Sequence, residues 1–299
     1  MKKLVTHSGG FHADDVIAYA TLKEVLSRRG ETWTLKRSRE EGDFNEADIV
    51  FDVGGIYDPA TNRYDHHQAD KAGVRPNGIM YASAGLIWKH FGRELCPNDE
   101  VWKAIDKGVL MEIDAIDNGQ SYFGELLFKD AGIVGLGMHI ANFGPTVFEE
   151  HSPEIMMDAF EKASEFARGV LLRSIHAVEG LERAFQEASE VYKNSEDKQI
   201  LIFDMDYGRP TWKRLAEYPE PIYAVYKNTD GKSWKVEAIP VVPTVYESRK
   251  LFPAAWRNLR DQELAEALGV PDAIFCFGFL LGVKSKESAI ALAKKALLM

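Results

Sequence analysis

Leu4-Val5-Thr6-His7-Ser8-Gly9-Gly10-Phe11-His12-Ala13-Asp14-Asp15 decides the fold class of this chain. It opens with a short apolar run of strand character. From residue 14 to 27, Val16, Ile17, Ala20, Val25 and Leu26 then recur near helical spacing. Asp14 and Asp15 fall in the first turn of that helix, where carboxylates suit the dipole. Residues 32–36 and 48–53 are predicted to be further strands, the second within Ile49-Val50-Phe51-Asp52-Val53-Gly54-Gly55. Strand alternating with helix predicts a parallel sheet with covering helices. Ligands of such sheets bind beyond the carboxyl ends of the strands. His7 and Asp52 both stand at strand ends, so topology alone brings these distant residues to one edge.

Asp65-His66-His67 completes a set that starts at His7, His12, Asp14 and Asp15 and runs through Asp52. Imidazole nitrogen and carboxylate oxygen, with no thiolate nearby, suit manganese, cobalt, iron or zinc. A carboxylate shared by two ions bridges them at about 3.5–4 Å, and such a pair activates water and clamps phosphoryl oxygens. The residues therefore predict a metal-dependent phosphoester hydrolase.

Composition supports a folded protein: 45% of residues are hydrophobic and 27% charged, without a signature of disorder. At 299 residues the chain exceeds one average core and suits two domains. A formal net charge of −10 argues against a basic, non-specific nucleic-acid binder, which gains affinity by releasing phosphate counterions to Lys and Arg. A phosphate site here needs bound metal to reverse the local sign. Cys96 and Cys276 lie far apart and lack a Cys-x-x-Cys partner, which fits reduced, buried thiols in a cytoplasmic protein. A strand starting almost at Met1 leaves no room for a signal or transit peptide, and no segment has the unbroken apolar length of a membrane span.

After the turn signal Asp58-Pro59-Ala60-Thr61-Asn62, the chain returns through Arg63-Tyr64 into Asp65-His66-His67. Residues 81–91 and 100–116 are expected to be helical, the second delivering Asp114 and Asp117 before the stop signal Asn118-Gly119. Residues 153–192 form a long amphipathic stretch, one or two helices, followed by a polar linker at 193–198. The expected domains are 1–192, including that helical connector, and 199–299. In the second, a strand at 199–204 precedes a β-hairpin of 222–227 and 234–240 around Asn228-Thr229-Asp230-Gly231-Lys232. A helix at 261–268, a strand at 273–277 and a final helix at 286–298 follow. The expected architecture is α/β: an N-terminal parallel-sheet domain, a smaller C-terminal α/β domain and a cleft between them.

The ordered set His7-x4-His12-x-Asp14, Asp52, Asp65-His66-His67 and Asp114/Asp117 resembles the motifs of the DHH phosphoesterase superfamily, which includes manganese pyrophosphatases, RecJ-type exonucleases and nanoRNases. The closer resemblance is to the melanocyte proliferating gene family, often labelled metal-dependent protein hydrolases and implicated in eukaryotes as RNA exonucleases. It is carried by Thr6-His7-Ser8-Gly9-Gly10-Phe11-His12-Ala13-Asp14-Asp15, Asp52-Val53-Gly54-Gly55-x-Tyr57-Asp58-Pro59, Arg63-Tyr64-Asp65-His66-His67-Gln68 and Ser83-Ala84-Gly85-Leu86. Asp114-Ala115-Ile116-Asp117-Asn118-Gly119, Arg249-Lys250 and Arg260-Asp261-x-Glu263-Leu264 extend it across both domains.

That resemblance implies one metal on His7, His12 and Asp52 and another on Asp14, Asp52, His66 and Asp117, with Asp52 as the bridge. Asp117 matches the fourth-motif aspartate; Asp114, three residues earlier on the same helical face, competes with it. Asp65 would orient His66 or His67, a support that imidazole ligands usually need. His67 would face the substrate phosphate, and Asp15 would either support a ligand or serve the helix dipole. Two divalent ions are implied, manganese first, with magnesium, cobalt or zinc as alternatives.

In the second domain, Ser248-Arg249-Lys250 resembles the phosphate-binding segment of the manganese pyrophosphatases, and Arg with Lys suits a phosphate clamp. Gly278-Phe279-Leu280-Leu281-Gly282-Val283-Lys284 precedes a helix whose free N–H groups would take an anion, with Gly282 and Lys284 as contacts; the alternative is a plain strand-to-helix turn. Leu281 and Val283 stand where the family is richer in glycine. Asn142-Phe143-Gly144-Pro145-Thr146 replaces the usual Asn-Pro-x-Trp, which bears on substrate preference. Ser83-Ala84-Gly85 serves either close packing or substrate contact. Leu201-Ile202-Phe203-Asp204-Met205-Asp206 mimics the haloacid-dehalogenase nucleophile motif, but Gly208 stands where that motif needs Thr. His90, His139, His151 and His176 are assigned to surfaces or packing. The expected function is phosphodiester hydrolysis, exonucleolytic on RNA or short oligonucleotides. A small phosphoester or pyrophosphate is the alternative substrate, and a degenerate metal-binding non-enzyme is the alternative class. No membrane partner is expected, and a homo-oligomer is compatible with the sequence.

Overall fold

The opening strand and helix form as read: β1 (Lys2–Thr6) ends just before His7 and leads into α1 (Ala13–Arg28). The computed structural model describes residues 1–69, 72–120 and 134–299. The chain divides into two compact units, Met1–Glu179 and Gly180–Met299.

In the first unit, β2 (Trp33–Arg37), α2 (Glu41–Glu46), β3 (Ile49–Phe51), β4 (Tyr57–Asp58) and β5 (Arg63–Tyr64) follow α1. The sheet order is β2-β1-β3-β5-β4. Pairs β1/β2, β1/β3 and β3/β5 are parallel, and only β4/β5 is antiparallel. The chain thus leaves β1 toward one side and returns on the other, which makes the carboxyl ends of β1 and β3 a topological switch point. Strand β3 is shorter than the expected 48–53. It stops at Phe51 because Asp52 adopts φ 55°, a left-handed conformation that no strand contains.

Helix α1 is buried along most of its length, with Val16, Ile17, Leu22 and Val25 in the main core. That core also takes Trp88 from α3 (Ser83–Phe91), Val101 from α4 (Asp99–Ile105) and Ile113 from α5 (Met111–Asp117). The single helix expected at 100–116 is instead interrupted by a wide π-type turn, Asp106–Leu110. Helix α6 (Leu136–Ala141) adds Ile140, and α7 (Pro153–Asn194) adds Phe160 and Leu171. Residues 153–192 therefore lie in one continuous helix, which runs on into the expected linker as far as Asn194. The division between units falls inside it.

The second unit contains β6 (Ile200–Phe203), α8 (Arg209–Arg214), β7 (Tyr223–Lys227), β8 (Trp234–Ala238), α9 (Asp261–Leu268), β9 (Ala273–Cys276), β10 (Leu280–Val283) and α10 (Lys286–Leu298). Its sheet order is β6-β7-β8-β10-β9. Only β6/β7 is parallel, and the other pairs are antiparallel. Val225, Val236 and Leu281 pack with Leu264 and Leu292 in one core, while Leu201, Phe203 and Tyr226 pack with Trp212 and Ala188 in another. Among the described residues no helix is long and apolar enough to cross a membrane.

Candidate metal centre

Three parallel neighbours end side by side, and each releases polar residues at its carboxyl end. His7 follows β1, Asp52 follows β3, and Asp65-His66 follow β5. Asp14 and Asp15 enter from the first turn of α1, and Asp117 from the end of α5. The left-handed backbone of Asp52 is unusual for a residue with a Cβ, though Asp and Asn tolerate it best. Its N–H donates to the Tyr64 carbonyl at 3.3 Å, and Ser83 Oγ donates to its Oδ1 at 3.4 Å.

The two oxygens of Asp52 face different imidazoles: Oδ2 lies 3.3 Å from His7 Nε2, and Oδ1 lies 3.3 Å from His66 Nε2. On the first side, His7 Nε2 is also 3.2 Å from Asp15 Oδ2. On the second, His66 Nε2 is 3.1 Å from Asp117 Oδ2 and 3.5 Å from Asp14 Oδ2. The donor atoms of His7, Asp15 and Asp52 form one group with ligand spacing, those of Asp14, His66 and Asp117 another, and those of Asp52, Asp65, His66 and His67 a third. Asp14 and Asp15 are fully buried, and Asp52, His7 and His66 nearly so. Buried charges at this density demand compensation.

The site's electrostatics show how its own groups balance one another. Burial opposes protonation of His7, but Asp15 and Asp52 outweigh it and raise its pKa to about 10. Burial likewise opposes protonation of His66, and Asp117 with Asp52 raises it to about 10. Burial pushes Asp52 upward, yet His66 and His7 hold it below the usual carboxylate range. Asp14 is pushed well above that range, first by burial and then by Asp52 and Asp117. The two imidazoles are thus held toward their protonated forms by the same carboxylates that could serve a cation. Among the described residues, Asp15 Oδ2 and His66 Nε2 are buried with no hydrogen-bond partner despite the short approaches around them, so their alignment suits ligation better than hydrogen bonding. Nitrogen and oxygen donors in these numbers fit divalent metal.

Beside the cluster, Asp65 gathers neighbouring donors. Its carboxylate accepts from the N–H of Gly55 at 2.5 Å and of His66 at 2.7 Å, and Oδ1 lies 2.7 Å from His67 Nδ1. The His67 ring is thereby fixed by its inner nitrogen while its side chain remains 61% exposed. A cavity of about 450 Å³ opens here, lined by His7, His12, Arg39, Asp52, His67 and Asp117 among others.

Several expected site residues take other places around the cluster. His12 is exposed and lines the cavity, but Asp15 takes its place beside His7 and Asp52. The first turn of α1 points Asp15 inward, and its Oδ1 also accepts the His12 N–H at 2.9 Å. Among the described residues, Asp114 belongs to no ligand group. Its carboxylate accepts from Arg75 Nε at 2.9 Å and Nη2 at 2.6 Å, and from the N–H groups of Ala82 and Gly85 at 3.2 and 3.0 Å. Asp14 accepts from the N–H groups of Ser83 and Ala84 at 3.2 and 2.6 Å, so two carboxylates cap α3. A Cβ on Gly85 would meet Asp114 Oδ2 at 2.0 Å, which makes close packing the function of that glycine.

In the second unit, Arg249 and Lys250, expected at a phosphate, have protein acceptors. The Arg249 guanidinium donates to the carbonyls of Ala216, Tyr218, Pro219 and Pro221 at 2.7–3.0 Å. Lys250 Nζ donates to the Leu297 carbonyl at 2.7 Å. Gly282 sits inside β10, where a Cβ would meet the Phe275 ring at 2.5 Å. The glycine-containing segment is the β9–β10 turn and β10 itself. Lys284 is exposed just beyond it, and α10 is capped by its own Ser285 Oγ, which accepts from the Ser288 N–H at 3.2 Å. Asp204 is exposed, and Asp206 accepts from the Gly208 N–H at 2.8 Å, as a turn residue does.

Arg39 has no motif in sequence, yet its Nη2 lies 3.3 Å from His7 Nδ1 and its guanidinium borders the cavity. Its one sequence signal is its position just past β2, whose carboxyl end shares the edge of β1 and β3.

A parallel sheet that gathers histidine and aspartate from three adjacent strand ends, with two carboxylates from the helix after the first strand, defines an α/β protein with a cluster of groups that could hold metal. The chain belongs to the MYG1_exonuc family, described as an uncharacterised protein family (UPF0160), whose model matches residues 3–297. It is 32% identical over 324 residues to a MYG1 protein of Schizosaccharomyces pombe, covering 99% of this chain and 97% of that one. It is 28% identical to the human MYG1 exonuclease over 99% of this chain and 85% of the relative. RecJ of Thermus thermophilus in complex with Mn2+ aligns with 99% of this chain and 51% of its own, at 12% identity and a TM-score of 0.27, so this chain spans about half of that protein.

Proposed function

We propose that this protein is a divalent-metal-dependent exonuclease acting on RNA or short oligonucleotides, with two metal positions that share Asp52. The observation that carries the reading is the split of the Asp52 carboxylate, one oxygen at 3.3 Å from each of two buried imidazoles that belong to separate donor groups. His7, Asp15 and Asp52 would hold one ion; Asp14, His66, Asp117 and Asp52 the other. Bound divalent ions supply an acidified water and charge neutralisation at phosphoryl oxygens. The chain's own part is to hold these ligands in a buried frame, to aim the His67 ring from Asp65, and to present Arg39 beside the cavity. A cavity of about 450 Å³ suits a group the size of one nucleotide. Family membership and the human relative's name, MYG1 exonuclease, support a nucleic-acid substrate.

The test is hydrolysis by metal-stripped protein reloaded with Mn2+, Mg2+, Co2+ or Zn2+, on end-labelled single-stranded RNA and on pyrophosphate. Stepwise loss of the terminal nucleotide, restored by added metal and abolished by chelator, is the expected result. Pyrophosphate cleavage without RNA cleavage would replace the substrate. Retention of metal with no turnover of either would contradict the enzymatic reading.

A further inference from the structure

Arg75 is a buried cation tied to two carboxylates of one helical run. Its Nε and Nη2 donate to Asp114 Oδ2 at 2.9 and 2.6 Å, and its Nη1 donates to Asp106 Oδ2 at 2.5 Å. The side chains of Arg75 and Asp114 are 2% and 0% exposed. Stability alone does not call for such a triad, because well-packed apolar groups of the same volume often serve as well. The helical run is also distorted to build it. In a straight α-helix Asp106 and Asp114 would face about 80° apart; the wide π-type turn Asp106–Leu110 absorbs the extra residue and turns both toward Arg75. The triad joins two elements of the metal centre. Asp114 stands in the last turn of α5 with Asp117, and it accepts from the N–H groups of Ala82 and Gly85 at the start of α3. The same start of α3 donates to Asp14 from the N–H groups of Ser83 and Ala84, and to Asp52 from Ser83 Oγ. The hairpin that carries Arg75, closed by the bridge between Val74 and Met80, also clasps the end of α5. Asn118 Nδ2 donates to the Met80 carbonyl at 3.2 Å, and the Met80 N–H donates to Gln120 Oε1 at 2.7 Å.

We propose that Arg75 is a positioning residue for the second metal position: through Asp114 it locks the end of α5 to the start of α3, and so brings Asp117 and Asp14 to one cation. Asp117 Oδ2 and Asp14 Oδ2 lie 3.1 and 3.5 Å from the same His66 Nε2. Carboxylates gathered this closely repel one another and move apart unless the elements that carry them are held. Arg75 holds them through one planar fork that reaches both Asp114 and Asp106, a geometry that an ammonium does not reproduce. His7 and Asp15 come instead from the end of β1 and the first turn of α1. Loss of the fork therefore acts on one metal position and spares the other. This role presupposes the two-metal reading and adds the residue that assembles half of it.

The test is Mn2+ titration of the metal-stripped full chain, with free Mn2+ read by electron paramagnetic resonance and folding read by urea unfolding. Arg75→Lys keeps the charge and removes the fork. In a His7→Ala background, which leaves the position of Asp14, His66 and Asp117, Arg75→Lys should weaken the remaining equivalent at least tenfold. In an Asp117→Ala background, which leaves the position of His7 and Asp15, the same change should shift the remaining equivalent less than twofold. Asp106→Asn preserves both Arg75 contacts to Asp114 and should weaken only the former equivalent, by less than Arg75→Lys does. Unchanged affinity in both backgrounds, equal weakening in both, or loss of cooperative unfolding in both Arg75→Lys and Asp106→Asn would overturn the inference. Fewer than two equivalents in the wild type would defeat the two-metal reading itself, and the role of Arg75 with it. Two equivalents in the wild type with no selective loss would defeat the role of Arg75 alone.

Discussion

His67 has one ring nitrogen 2.7 Å from Asp65 Oδ1, and most of its side chain is open to the cavity. That arrangement suits contact with a substrate phosphate or proton exchange with it. His67→Ala is expected to cut kcat about a hundredfold, the lower range for a lost acid–base group, with metal content unchanged. Loss of a metal equivalent, measured by elemental analysis, would make it a ligand instead. Arg249 carries the opposite expectation. Its guanidinium ties four carbonyls of residues 216–221, and burial lowers its pKa. Arg249→Ala should cost about 1.5–3 kcal/mol of stability, the range for hydrogen bonds to a charged group, and leave KM alone. Urea unfolding with steady-state kinetics checks both halves; a raised KM at unchanged stability would return Arg249 to substrate binding.

Helix α3 is an element whose position depends on two buried carboxylates at its N-terminus. Gly85→Ala places a Cβ at 2.0 Å from Asp114 Oδ2 and must disturb the Arg75–Asp114 pair. The expected loss is about 3–5 kcal/mol, typical of a broken buried ion pair, read by denaturant unfolding; a loss under about 1 kcal/mol would show that Asp114 moves freely. On β8, burial raises the Glu237 pKa above its ordinary 4.5. A carboxyl whose folded pKa is raised adds stability below its unfolded pKa and loses it as pH rises through the folded value. The stability of the wild type relative to Glu237→Gln should therefore fall as pH climbs from 4.5 through the raised value. A difference that is flat or rises over that interval would contradict it. These elements also mark how far the sequence is legible. His7, Asp52 and His66 are readable because strand alternation puts each at a strand end. The choice of Asp15 over His12 is not, since it depends on the phase at which α1 starts, and the packing of Val16 and Ile17 sets that phase. Asp114 and Asp117 share a helical face, so only the position of Arg75 tells them apart. Arg249-Lys250 has phosphate-binding chemistry, but the carbonyls that occupy it come from segments no motif describes.

At the scale of the whole molecule, a net charge of −10 and a site with four clustered aspartates make cation binding the condition for any approach of a polyanion. The first unit brings such residues together at a switch point in a parallel sheet, and Asp52, held in a left-handed backbone, belongs to one donor group with His7 and to another with His66. Asp52→Asn keeps a residue type that tolerates this backbone while removing the shared charge. The most direct measurement is Mn2+ binding to the full chain, followed by electron paramagnetic resonance, in wild type and Asp52→Asn. Two equivalents with a spin-coupled signal in the wild type, and loss of coupling with at most one equivalent in the variant, are expected. Two uncoupled equivalents in the wild type, or two coupled equivalents retained in Asp52→Asn, would contradict a centre bridged by Asp52.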